Sequence, residues 1–328
     1  MYDFHIDTIV TFIKRRNAKV VALQMPEGLK THALRLSDEI YSKSGARCVI
    51  IGDPCYGACD LNRDFRRYAD ALVHIGHTRI PSMDAEDNVL HVEVQIEFDP
   101  TELVAKAVPL LGKNVGIITT VQHSVNLPRI VSELESKGVK CFVGKGDDRI
   151  CHPGQLLGCN ITSATAVEHD VDSYLFIGSG NFHPLSVAIE TSKKVIVMDP
   201  VMNEVREIGE LRDRILRQRH AAIARSADVM RFGIIVSSKT GQDRYPLAMD
   251  ILERLERKGR KGDIIVLEEV GPERLMPFDC GAFVSTACPR LAIDDSMKYP
   301  KPMLTPIELE IVLGDRKWDD YRLDMILG

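Results

Sequence analysis

Eight cysteines hold most of the chemistry this sequence could perform, and their settings sort them. Cys48 and Cys141 fall in apolar stretches that read as strands, where a small thiol packs as a hydrophobe. Cys280, beside Gly281 at the start of another such stretch, reads the same way. Cys55 and Cys151 lie in loops and stay open. Cys59, Cys159 and Cys288 share a different setting, each in a loop just past an apolar strand: Tyr56-Gly57-Ala58-Cys59-Asp60, Gly158-Cys159-Asn160 and Thr286-Ala287-Cys288-Pro289. Thiolates are the usual ligands of iron–sulfur clusters. Three of them with no obvious fourth partner suit a [4Fe-4S] cluster with one open iron. Zinc competes for the same donors, but structural zinc favours close cysteine pairs two to four residues apart. Only Cys55 and Cys59 have that spacing. The same pair starts a C-x3-C-x2-C pattern that fails at its last position, Asn62.

The elements that must bring these loops together repeat three times. First strands are expected at 20–24, 115–119 and 232–236, followed by amphipathic helices at 33–43, 127–137 and 247–258. Second strands follow at 44–51, 137–143 and 261–267, and third strands, each introduced by an aspartate, at 70–76, 172–178 and 279–285. A fourth strand is visible at 91–98 and 194–198 and, as the faintest copy, near 291–293. Near-continuous apolar runs alternating with amphipathic helices mean parallel strands covered on both faces. The expected fold is therefore α/β, with three repeated domains at 1–110, 111–228 and 229–328, each a short parallel sheet flanked by helices and all arranged around a pseudo-threefold centre. A long Arg/Glu-rich helix over 204–225 is expected to link the second and third domains, and a short helix over 321–327 to end a C-terminal extension.

Right-handed crossovers put the loops after parallel strands on one edge of each sheet, where open α/β sheets bind ligands. That edge gathers the three thiols and names further candidates for substrate binding. Gln24, Pro26, Glu27 and Gly28 follow the first strand, Gln122 and His123 occupy the equivalent loop of the second unit, and Gly178, Gly180, Asn181 and His183 follow a third strand. Each has a plainer reading: Pro26 to Gly28 as a tight turn opening a helix, and His183 before Pro184 as a helix start.

The 328 residues are 45% hydrophobic and 27% charged with a net charge of −5, the composition of an ordinary globular chain with no basic field to attract nucleic acid. Mean hydropathy is −0.07, and no apolar run reaches the ~20 residues that span a bilayer. Asp3 stands where a signal peptide would be positive, so a cytoplasmic location is expected and disulfides are not.

Several segments, in order along nearly the whole chain, resemble the diphthamide synthase family. They are Gln24 to Leu29, Gly52 to Asp60, Thr119 to His123, Gln155 to Asn160, Gly178 to Pro184 and Ser285 to Leu291. The resemblance implies a non-classical radical enzyme that transfers the 3-amino-3-carboxypropyl group of S-adenosylmethionine to a histidine of translation elongation factor 2 and releases methylthioadenosine. It implies a [4Fe-4S] cluster on Cys59, Cys159 and Cys288, an electron donor and, for a single chain carrying all three cysteines, an archaeal homodimer. Quinolinate synthase, also built from three α/β units and three cysteines, is the alternative enzyme; the residues around Cys59 and Cys288 favour the first. A triplicated binding module with incidental thiols is the non-catalytic alternative.

Overall fold

The computed structural model describes residues 2–83 and 86–327. Three sheets follow one another along the chain. The first contains β1 (Val20–Gln24), β2 (Arg47–Ile50), β3 (Ala71–Ile75) and β4 (Val89–Val92) in the order β2-β1-β3-β4. The second contains β5 (Asn114–Thr119), β6 (Lys140–Phe142), β7 (Ser173–Ile177), β8 (Lys194–Asp199) and β9 (Glu204–Glu207) in the order β6-β5-β7-β8-β9. The third contains β10 (Arg231–Ser237), β11 (Lys261–Leu267), β12 (Ala282–Ser285) and β13 (Met303–Leu304) in the order β11-β10-β12-β13. One strand order thus recurs three times, and among the described strands every pairing is parallel except that of β8 with β9.

Burial on both faces explains the apolar strands. Val21, Leu23 and Val73 of the first sheet pack against Ile9, Ile13, Leu36 and Ile40 from helices Ile6–Arg16 and Ala33–Ser44. Ala22 and Leu72 on the opposite face meet Phe65. The second sheet is sandwiched in the same way, with Ile130 and Leu134 of helix Leu127–Ser136 on one face and Leu185 and Ile189 of helix Phe182–Thr191 on the other. The aspartates before the third strands have a local cause in two copies. Asp70 Oδ2 accepts from the backbone N–H groups of Lys19 and Val20, and Asp172 Oδ2 from that of Asn114, so each carboxylate pins the start of the neighbouring first strand.

Four expectations fail. The fourth strand of the first sheet is Val89–Val92 and not 91–98, because the chain then leaves the sheet and bonds to the second unit, Ile96 N–H to the Gln122 carbonyl and Phe98 N–H to Asn126 Oδ1. Residues 291–293 are not a strand but belong to the one-turn helix Arg290–Ile293, and the fourth strand of the third sheet is Met303–Leu304. Pro289 caps that turn, and the chain makes a second short turn at Ser296–Lys298 before the strand begins. The 204–225 segment is not all helix. It starts as the antiparallel edge strand β9 and turns helical at Gly209–Ser226. Val205 packs against the second core, and Val197 pairs with Arg206, so sheet pairing overrides the segment's charged, helix-favouring composition. Residues 321–327 form an irregular tail, because their backbone groups bond elsewhere in the molecule. No helix among the described residues is long and apolar enough to cross a membrane.

Candidate metal centre

Each of the three thiols is placed by hydrogen bonds at the carboxyl edge of its sheet. The Cys59 loop closes a turn with Asp60 N–H on the Gly57 carbonyl, and Gln24 Nε2 at the end of β1 donates to the Asp60 carbonyl at 2.7 Å. Before Cys159 the chain returns to β5: Thr119 N–H donates to the Gly154 carbonyl and Leu156 N–H to that of Thr119, both at 2.8 Å. Cys288 follows β12, where Thr286 N–H and Oγ1 both donate to the Ile235 carbonyl.

The loops then lock across the sheets. Gly241 N–H donates to the Cys59 carbonyl at 3.1 Å. A Cβ at Gly241 would lie 2.5 Å from Cys59 Cα, so the third unit meets the Cys59 loop there only through glycine. Gln242 Nε2 donates to Cys59 Sγ at 3.3 Å. The C-terminal tail carries further ties. Ile326 N–H donates to the Cys159 carbonyl at 2.8 Å, while Asp324 holds Arg244, whose guanidinium also donates to the Thr286 and Ala287 carbonyls beside Cys288.

Cys59, Cys159 and Cys288 line one cavity of about 190 Å³ with Tyr56, Ile80, Val121, Leu156 and Phe182. Burial pushes the Cys159 and Cys288 thiols up to about 12, with the neighbouring cysteines adding to it, and pushes Cys59 up as well. Their ligand atoms do not all fall within 4.8 Å of one another; among the described residues only Cys55, His74 and His77 form such a group. Three sulfurs on one tetrahedral zinc would stand about 3.8 Å apart. The donor set therefore fits a polynuclear cluster better than a single ion. Arg149, 7% exposed, sits on the same wall with its Nε unpartnered, a cationic donor beside the thiols.

The other candidates divide. Gln122 and His183 line the cavity. His183 stacks on Phe176, and burial and nearby Arg290 lower its pKa to about 4, so its ring is neutral. Gln24 is buried behind the Cys59 loop, Pro26 packs near Gly76, and exposed Glu27 pairs with Lys30 at 2.5 Å; none of them borders the cavity, nor does Gly28. His123 is buried edge-on to Phe98. Gly178 and Gly180 take positive φ, and Asn181 precedes helix Phe182–Thr191; these also stand off the cavity. Sequence reasoning missed His77, Arg149, Arg244 and Asp324, whereas Gln242 lies in the 239–242 loop after the third unit's first strand, the position equivalent to that of Gln122 and His123. Arg149, Arg244 and Asp324 belong to no repeated motif, and Gln242 had only its loop position to mark it.

Fold and site together define a three-lobed α/β protein whose lobes each deliver one thiol to a shared cavity. The chain belongs to the diphthamide synthesis family, whose description, putative diphthamide synthesis protein, matches residues 25–322. It is 38% identical to the 2-(3-amino-3-carboxypropyl)histidine synthase of Pyrococcus horikoshii over 100% of this chain and 95% of that protein. It is 31% identical to subunit 1 of the Gallus gallus synthase, over 98% of this chain and 80% of that one. The crystal structure of Dph2 from Pyrococcus horikoshii with a 4Fe-4S cluster superposes with a TM-score of 0.92 at 36% identity, covering 100% of this chain and 95% of that one. Family membership sets the quinolinate synthase alternative aside.

Proposed function

We propose that this chain is a 2-(3-amino-3-carboxypropyl)histidine synthase that catalyses the first step of diphthamide formation on translation elongation factor 2. The net reaction moves the 3-amino-3-carboxypropyl group of S-adenosylmethionine to carbon 2 of a histidine ring. Methylthioadenosine and the ring proton leave. The observation that carries the reading is that Cys59, Cys159 and Cys288, one from a loop of each repeated unit, line a single cavity.

These three thiols would hold a [4Fe-4S] cluster, which when bound supplies the low-potential electron that opening a sulfonium bond requires. The chain's own work is orientation and charge. Gln242 donates to Cys59 Sγ and holds that sulfur in place. Arg149 offers a buried guanidinium to the carboxylate of the aminocarboxypropyl group, a charge-assisted contact. Ile80, Val121, Leu156 and Phe182 give the nucleoside an apolar wall and exclude water. Gln122 and His183 are the substrate contacts among the edge-loop candidates, while Gln24 positions the Cys59 loop. The chain divides at 110/111 and 228/229, so that each domain contributes one cluster ligand. An electron donor, a homodimer and a cytoplasmic location, where elongation factor 2 works, complete the proposal.

Single Cys59→Ala, Cys159→Ala and Cys288→Ala variants, purified without oxygen, test it. Each is expected to lose most of its iron and at least a hundredfold of its product formation while keeping its circular dichroism. Full iron and activity in any one of them contradicts the assignment.

A further inference from the structure

The group formed by Cys55, His74 and His77 is not used by the proposed reaction. Cys55 hangs from the loop after β2, His74 lies within β3, and His77 follows two residues past its end. Cys55 is 2% exposed and His74 0%. Their ligand atoms and those of His77 lie within 4.8 Å of one another.

The hydrogen bonds around His74 settle which nitrogen holds a lone pair. The Gln24 amide has one orientation, because its Nε2 donates to the Asp60 carbonyl and its Oε1 accepts from Asn62 N–H at 3.1 Å. Oε1 also stands 2.9 Å from His74 Nδ1, so Nδ1 carries the proton and Nε2 is left as the acceptor. That lone pair faces His77 Nδ1 at 3.0 Å. One proton on His77 Nδ1 bridges the two nitrogens. An imidazole whose far N–H is held by a carbonyl oxygen is how proteins orient metal-binding histidines. Around a tetrahedral zinc, two nitrogens and a sulfur stand about 3.3 to 3.6 Å apart, a spacing this group reaches with small side-chain adjustments.

We propose that Cys55, His74 and His77 form a second metal site, for a divalent cation of the zinc class, distinct from the three-cysteine centre. His77 borders the cavity, so water can complete the tetrahedron. Binding forms bonds to Cys55 Sγ, His74 Nε2 and His77 Nδ1. The thiol proton is released to solvent and the His77 proton moves to Nε2, so one proton leaves for each cation bound. A cation there ties the loop that carries Cys59 to β3. The site rests on these side chains and not on the cluster assignment.

The test uses full-length protein with its cluster assembled anaerobically. It is incubated with zinc chloride, washed with a weak chelator and assayed for zinc and iron on one sample. The expected result is one zinc per chain beyond the irons, with zinc-edge X-ray absorption showing one sulfur at about 2.3 Å and nitrogen or oxygen at about 2.0–2.1 Å. Retained zinc falls at least tenfold in Cys55→Ser and in His77→Gln, and stays unchanged in Cys151→Ser. His77 is half-buried, so its variant decides if Cys55→Ser fails to fold. Two results overturn the proposal: no zinc retained by iron-loaded protein, or zinc bound by several sulfurs and undiminished in the folded variants. Because iron is counted separately, a failed cluster assignment shows as missing iron and not as missing zinc.

Discussion

Gln242 contributes one hydrogen bond to Cys59 Sγ, at 3.3 Å. Hydrogen bonds to ligating sulfurs stabilise the extra negative charge of a reduced cluster. Gln242→Leu is therefore expected to make the cluster harder to reduce without emptying it. Potentiometric titration should give a more negative midpoint at unchanged iron content; an unchanged midpoint would show that the bond carries no electronic weight. At this scale the sequence marked the three thiols that line the cavity and left most of their neighbours unmarked. Cysteines in loops past strands are conspicuous, whereas a glutamine aimed at one of them looks like any loop glutamine. The cavity-lining role of Arg149 was equally hidden, because its backbone lies in a loop that only the fold turns inward.

Helix Gly209–Ser226 joins the second lobe to the third, and its fixing point is Arg219. The guanidinium is 1% exposed, donates to both Glu308 oxygens at 2.7 and 2.5 Å, and reaches the Ala292 and Met303 carbonyls at 2.6 Å. Glu308 in turn closes the capping box of helix Pro306–Val312 with Thr305. Removing one partner leaves a buried charge uncompensated, at a cost of about 3–5 kcal/mol. Arg219→Leu should lower the urea-unfolding free energy by that amount, and a loss below 1 kcal/mol would contradict the role given to the pair. Such ties explain why some elements could be read from sequence and others could not. The strands of the repeat carry local apolar signals. The C-terminal tail reads locally as a short helix, but its conformation is set by Cys159 and Arg244 far away in the chain. Strand β9 was masked in the same way by charged residues that edge pairing accepts.

The repeat predicted three similar lobes, but not how they lock, because contacts between lobes join residues with no shared local pattern. One lock is Lys239 of the third lobe, which pairs with Asp60 beside Cys59 at 2.8 Å and with Glu269, and lies 4.9 Å from the Tyr56 ring centre. Burial alone would lower the pKa of this ammonium, but Asp60 and Glu269 together hold it above the ordinary 10.5. A lysine raised on folding stabilises fully below its unfolded pKa and loses that contribution as pH rises through the folded one. The thermal-stability gap between the wild-type protein and Lys239→Met should therefore be constant from pH 6 to 9 and narrow above 10.5. A gap that widens in alkali would show that the pairing is not what Lys239 contributes.

If the three converging thiols serve to open one particular bond of S-adenosylmethionine, the nucleoside that is released identifies that bond. Protein purified without oxygen is reduced with dithionite and given S-adenosylmethionine and elongation factor 2, and the products are separated by chromatography. The expected product is methylthioadenosine, formed in step with modified histidine and lost in the Cys59→Ala, Cys159→Ala and Cys288→Ala variants. Deoxyadenosine as the main product, or methylthioadenosine at equal rates in those variants, would contradict it.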